Sequence, residues 1–320
     1  MLSPTEQVGQ ISEPVSMDDW LGKLASVTSD VLIFQNVYDD RVISQLDPSF
    51  LPVEGRRNAR TETREVGLFL RMFHTGLYRC APLTGILSPS FKEKAKISGN
   101  QLLDFIRRNP GYNVYFINPF PQNAYFAYNV WYHGELYHPG LFALAEILFE
   151  RAGYDTKHMY DSRDSHATLL YSSYWVGDQQ FWDGYMALIT RLMETLGEMP
   201  RTLLDRYYSI ADYRDWRTSE VLQVSYLPFI FERTFSIFLH IKPDIRAMAY
   251  PFTRGEILAH SYGGDFESEI VQTFGDVVDE IDRRGEYTTA DRQVIFALYN
   301  LRAAAEKRRW AREYVENVLI

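Results

Sequence analysis

At 320 residues, 46% hydrophobic and 15% aromatic, the chain has enough apolar side chain for one large domain or two smaller ones. Its net charge of -9 and sequence pI of about 5.4 argue against a nucleic-acid partner. The single cysteine, Cys80, excludes an intramolecular disulfide and any thiol-based metal motif, which fits a reducing, cytoplasmic setting.

Residues 1–17 read as a loose arm without the basic and apolar regions of a signal peptide. Asp18 is placed to cap a short amphipathic helix over 19–27. The first strand is Val31-Leu32-Ile33-Phe34, which runs straight into Gln35-Asn36-Val37-Tyr38-Asp39-Asp40-Arg41. Four apolar residues followed by polar ones predict a strand buried on both faces with a functional end. Asp47-Pro48 and Leu51-Pro52 mark turns, and Arg56, Arg57, Arg60 and Arg64 crowd the next loop. A helix is expected over 63–75 and a strand over 83–87. Ser98 then opens a helix, with Gln101 three residues on as its capping-box partner. Asn109-Pro110-Gly111 stops that helix.

A strand follows over 112–117, rich in β-branched and aromatic residues, and ends at Asn118-Pro119. Beyond it, residues 118–138 read as a polar, aromatic loop. Pro139-Gly140 starts a helix over 141–151. Residues 167–176 read as a strand, and Asp178 caps a helix over 179–196. The segment 227–239 is an apolar helix interrupted by Glu232-Arg233. Residues 244–275 are loop-rich and 276–320 are charged and helical. The alternation of strands and helices predicts an α/β fold, with a mostly parallel central sheet flanked by helices and a helical C-terminal extension. The expected division is 1–243 for the α/β domain and 244–320 for the extension packed on it. No apolar run approaches the roughly 20 residues of a membrane span.

Several motifs are absent. There is no G-x-G-x-x-G after a strand, no P-loop, no G-x-S-x-G elbow and no H-E-x-x-H. These absences count against dinucleotide, P-loop, α/β-hydrolase and zincin chemistry.

The candidate site residues follow the strand ends, where open α/β sheets bind ligands. Asp39 and Asp40 are paired carboxylates that suit Mg²⁺ or Mn²⁺ against a diphosphate, or ribose hydroxyls; a solvated turn accounts for them equally well. Arg41 and the arginines after it suit phosphate. Asn118, Gln122, Asn123 and Asn129 carry amides that both donate and accept, as sugar hydroxyls require, though each also suits a turn or cap. Trp131 stands among them. Glu135 and His138, three apart, are candidate general bases for a hydroxyl. D-S-R-D at Asp161 and Asp164 is only a loose echo of a metal motif. Glu232 and Arg233, ions inside an apolar helix, suit either a polar site or a buried ion-pair network.

The phrases FQNVYDDRVISQLDPSF, LTGILSPSFKEKAKISG, NVYFINPFP, NVWYHGELYHPG and SYWVGDQQFW resemble a family of bacterial glycosyltransferase-like proteins of surface-polysaccharide synthesis. LPFIFERTFSIFL is similar to the E-R helix near the end of several GT-A nucleotide-sugar transferases. The likeness spans about residues 30–240. It implies a GT-A-like domain with a nucleotide-sugar substrate at the strand ends. Gln35, Asn36 and Asp39 would lie at the nucleotide, and Asn118-Pro119 would occupy the place of the metal-binding D-x-D. Here that place reads I-N-P-F. The implied activity is transfer of a sugar to a saccharide or lipid-linked acceptor, in the cytoplasm or at the inner face of the membrane. A non-catalytic glycan- or partner-binding module on the same fold is the rival reading, and a hydrolase with paired carboxylates is a third.

Overall fold

The computed structural model describes residues 14–56, 63–214, 221–260 and 265–318. Arg57 and Arg60, most of the N-terminal arm, and the Gly263-Gly264 pair lie outside the described residues.

Helix α1 (Met17–Leu24) is capped by Ser16 rather than Asp18, because the Ser16 side chain accepts from Asp19 N. Strand β1 (Val31–Val37) is buried along its whole length. Alternation explains this: Leu32 and Phe34 feed one core, Val31 and Ile33 the other. Strand β2 (Leu51–Glu54) stands where turns were expected. It lies at the sheet edge, where Pro52 is tolerated. Helix α2 (Glu65–Thr75) leads to β3 (Leu83–Leu87), and α3 (Phe91–Ala95) to α4 (Gly99–Arg108), which carries the expected Ser98–Gln101 capping box.

Strand β4 (Val114–Phe116) is shorter than expected. The predicted loop after it is largely helical: a 3₁₀ turn at Pro121–Tyr125, then α5 (Val130–Tyr137). Helices α6 (Leu141–Arg151) and α7 (Lys157–Asp161) follow. Of the strand expected over 167–176, only β5 (Trp175–Gly177) forms. Ser172 and Ser173 have φ of 63° and 54°, a left-handed pair that cannot continue an extended chain. Helices α8 (Gln179–Glu198) and α9 (Arg201–Tyr207) precede a hairpin of β6 (Ile210–Arg214) and β7 (Val221–Ser225). Then come α10 (Leu227–Ile241), β8 (Ala247–Ala249), α11 (Arg254–Ala259), α12 (Asp265–Arg284) and α13 (Thr289–Val318).

The main sheet has six strands in the order β2-β1-β3-β5-β4-β8. All pair parallel except β5, which is antiparallel to both neighbours. The fold is therefore α/β with a mixed sheet flanked by helices, and five strands share one direction. The larger core lies between the sheet and α1, α2, α6, α8 and α10; the smaller lies under α3 and α4.

Strand β8 lies beyond residue 243 yet pairs with β4, so the sheet draws on both sides of the expected domain division. Helices α12 and α13 pack on the turn after β4. Tyr125, Phe126, Ile270, Val271, Val278 and Leu298 form one apolar cluster there. Buried Arg163 ties the same turn to α12, donating to carbonyls of Ala127 and Tyr128 and pairing with Asp282. Among the described residues, no helix is long and apolar enough to cross a membrane.

Candidate functional site

Five strands end on one edge of the sheet, and β1 and β3 mark the point where chain crossovers leave in opposite directions. Such a crevice is where open α/β sheets bind ligands. Strand β5 runs the other way, so the residues entering it, 171–174, join this same edge.

The end of β1 is closed by its own side chains. Gln35 Nε2 donates to Ser88 O at 3.0 Å, and Gln35 Oε1 accepts from Asp47 N at 2.7 Å. Gln35 thus staples β1 to the turn after β3. Asn36 is 7% exposed, and its Oδ1 has no hydrogen-bond partner. That oxygen lies against Gly55, where an added Cβ would meet it at 1.7 Å. Asp39 caps the following 3₁₀ turn and accepts from Arg41 N, Nε and Nη2. The Arg41 hydrogen bonds hold its pKa down to about 2. Asp40 turns to Arg56 instead. The two carboxylates therefore face different arginines. Among the described residues no three His, Cys, Asp or Glu side chains gather around a common point. Asp39 and Asp40 thus do not converge on one cation position between them.

The end of β4 is also internally engaged. Asn118 Oδ1 accepts from Phe120 N at 3.0 Å, and its Nδ2 donates to Phe120 O. Asn129 caps α5, accepting from Trp131 N and Tyr132 N while donating to Met159 O and Ser162 O. Trp131 is core, edge-on to Phe149. Asn123 is 7% exposed, and its carbonyl takes Ala127 N at 2.8 Å. Gln122 is buried with its Oε1 unpartnered. Glu135 caps α6, accepting from Gly140 N at 2.7 Å and Phe142 N at 2.9 Å. Asp39, Asn118 and Glu135 are therefore each satisfied within their own neighbourhoods. Strands β1 and β4 stand three spacings apart in the sheet, about 14 Å.

A different set of residues does converge. Helix α10 crosses the edge where β4 ends and β5 begins, with Phe235 against Phe116. Ser236 Oγ accepts from Leu170 N, and Glu232 Oε1 accepts from Ser172 N at 2.6 Å. The Glu232 carboxylate thereby helps hold the left-handed serine pair, a conformation costing roughly 1–2 kcal/mol per residue. Arg233 projects into the gap between α10 and α5. It donates from Nε to Val130 O and from Nη1 to Phe229 O. Gly134 makes room for it; a Cβ there would lie 2.6 Å from Arg233 Nε.

Around Arg233 stand four rings. Tyr171 carries the Arg233 guanidinium 5.6 Å from its ring centroid, and His133 packs on Tyr171 at 5.1 Å. His138, at the end of α5, stacks on Phe229 at 3.8 Å and 17°. Arg64 reaches the same Phe229, its Cζ 5.9 Å from the ring. Burial, then the charges of Arg233 and Arg64, push the His138 pKa down to about 3. Burial, then Arg233 and Arg302, push His133 well below its ordinary value. Both imidazoles are neutral at pH 7 and weakly basic. Burial raises the pKa of Tyr171, so its hydroxyl stays protonated. The arrangement is a buried cluster of arginine, tyrosine and neutral histidine, with the carboxylates of Asp164 and Glu232 close enough to act on Tyr171.

Arg233 and His138 were candidates from the sequence alone. Arg64 was among the loop arginines read as suiting phosphate, whereas Tyr171 and His133 take their places here through the fold. Tyr171 sits in an aromatic run that reads as core, and the partnerless hydroxyl that distinguishes it has no sequence signature. No protein-family model, curated protein or solved structure matches the chain.

Proposed function

We propose that the protein is a glycosyltransferase, moving a sugar from a nucleotide-sugar donor to a saccharide or lipid-linked acceptor in bacterial surface-polysaccharide synthesis. The observation that carries this reading is the meeting of Glu232 and Arg233 with the strand ends. A helix that is otherwise apolar brings its two ions to the edge where an α/β sheet takes ligands. A guanidinium there suits a donor whose leaving group is a phosphate chain. The GT-A likeness of the E-R segment and of the strand phrases points the same way. The nucleotide would lie toward β1 and β3, near Asn36, and the sugar toward β4 and β5. On this reading the protein acts in the cytoplasm or at the inner face of the membrane.

Arginine takes the part that a divalent cation plays elsewhere, since Asp39 and Asp40 are turned to Arg41 and Arg56. The test is thermal denaturation with UDP-, GDP- and dTDP-sugars, with and without Mn²⁺. A ligand present at a hundred times its Kd stabilises by about 2.7 kcal/mol, which raises the midpoint by several degrees. One nucleotide class should do so without added metal. If none shifts the midpoint in either condition, the reading fails.

One observation favours the rival, a non-catalytic glycan- or partner-binding module. Glu135 caps α6 and His138 is too weak a base, so neither candidate is poised to take a proton from an acceptor. Binding of a glycan without release of nucleotide from any donor would establish that rival.

A further inference from the structure

Charged side chains are kept in protein interiors when they are paired, because leaving water is costly. Two of the buried arginines obey this. Arg163 pairs with Asp282, and Arg302 with Glu267 and Glu306. Arg233 does not. It is 4% exposed, and among the described residues no carboxylate forms an ion pair with it. Its sequence neighbour Glu232 is committed to Ser172 N. Two backbone carbonyls take Nε and Nη1.

The groups beside it are also incomplete. The Tyr171 hydroxyl and His133 Nδ1 are buried and have no hydrogen-bond partner among the described residues. Both rings border the same guanidinium or each other, at 5.6 Å and 5.1 Å. A buried cation, an unpartnered hydroxyl and an unpartnered imidazole nitrogen thus belong to one ring-contact cluster, and a ligand entering it would be their shared neighbour. That neighbour must carry negative charge and accept several hydrogen bonds. The planar fork of arginine matches an oxyanion with two or more equivalent oxygens.

We propose that Arg233, Tyr171 and His133 form a metal-free binding site for a phosphate group. The origin of that phosphate, as the part of a nucleotide-sugar next to the transferred sugar, rests on the transferase reading; the site itself does not. The Arg233 guanidinium and the Tyr171 hydroxyl donate to phosphate oxygens. His133 Nδ1 donates or accepts according to its tautomer and the protonation of the ligand. A Cβ at Gly134 would lie 2.6 Å from both Arg233 Nε and Leu141 Cδ2, so a side chain there would make one or both shift.

The experiment is calorimetric titration and thermal denaturation of the full chain with inorganic phosphate, UDP and GDP, with uridine and guanosine as uncharged controls. Phosphate and at least one nucleotide should bind and raise the midpoint, and the nucleosides should not. Tyr171→Phe removes a hydroxyl that has no protein partner among the described residues, so the midpoint without ligand should stay level or rise. Its affinity for phosphate should nonetheless fall roughly tenfold or more, the loss of one hydrogen bond to a charged group. Arg233→Lys keeps the charge and loses the fork, and should bind more weakly still. The site is overturned if neither phosphate nor either nucleotide binds the unmodified chain, or if Tyr171→Phe binds them undiminished. Phosphate binding alongside failure of every nucleotide sugar would keep this site and remove the transferase. Nucleotide sugars that bind Tyr171→Phe as tightly as the parent would do the reverse.

Discussion

His240, in the last turn of α10, shares a 2.7 Å hydrogen bond with Asp164. Asp164 also accepts from Val130 N and Thr168 Oγ1, so it joins α5, α10 and the segment between them. Burial opposes a charge on His240, but the hydrogen bond and charge of Asp164 outweigh it and raise the pKa. The neighbouring His158, stacked at 5.9 Å, is shifted the other way, mainly by burial and then by His240. A raised histidine contributes stability that is complete below its unfolded pKa of about 6.5 and is lost as pH climbs through the folded value. Denaturant midpoints of the parent chain should therefore decline above about pH 6.5. His240→Gln should flatten that decline. An unchanged slope in the variant would show that the pair does not link folding to protons.

At the scale of elements, α5 is held from two sides. Arg233 of α10 takes the Val130 carbonyl, and Arg302 of α13 donates to the Tyr137 hydroxyl. Arg302 also bridges Glu267 of α12 and Glu306 of its own helix, all three buried. Arg302→Met would remove the cation that two buried carboxylates share, with Arg309 still paired to Glu306. Breaking such a group costs about 3–5 kcal/mol. Hydrogen exchange should show α12 and α13 losing protection before the sheet does; uniform loss would mean that the network serves the whole fold instead.

Much of this level was legible in the chain. Local signals worked where a residue acts on its own backbone: Ser98 with Gln101, Asp178, Pro139-Gly140, and the all-buried β1. They failed where a distant partner decides. Leu51-Pro52 reads as a turn until β1 offers it an edge to pair with. Residues 167–174 have strand composition, yet Glu232, 60 residues away, holds Ser172 N in a left-handed bend. The site shows the same division. The Glu232-Arg233 ions were visible as an anomaly in an apolar helix, whereas the lack of an ion pair to Arg233 among the described residues depends on which carboxylates the fold brings near. Asn118, Asn129 and Glu135 had the right chemistry for sugars, and their geometry spends it on caps and turns.

For the whole molecule, the division at residue 243 has a consequence that can be tested. A fragment of residues 1–243 would lack β8, which pairs with β4, and α12, which covers Tyr125 and Phe126. It would also leave Arg163 buried without Asp282. That fragment should show no cooperative unfolding transition by circular dichroism. A sharp transition would mean that the first 243 residues form a domain of their own and that the C-terminal helices are an accessory.

The pairing of β4 with β8 also sets an order of events during synthesis. Asn113 receives its contact from Arg246, 133 residues later in the chain. A ribosome adding about 5–20 residues per second would leave the edge of β4 open for roughly ten seconds or more. An unpaired inner edge of that kind invites strands from other nascent chains. The cell therefore has reason to shield this polypeptide until its last third has emerged, and chaperone dependence would be a property of its topology rather than of its final stability.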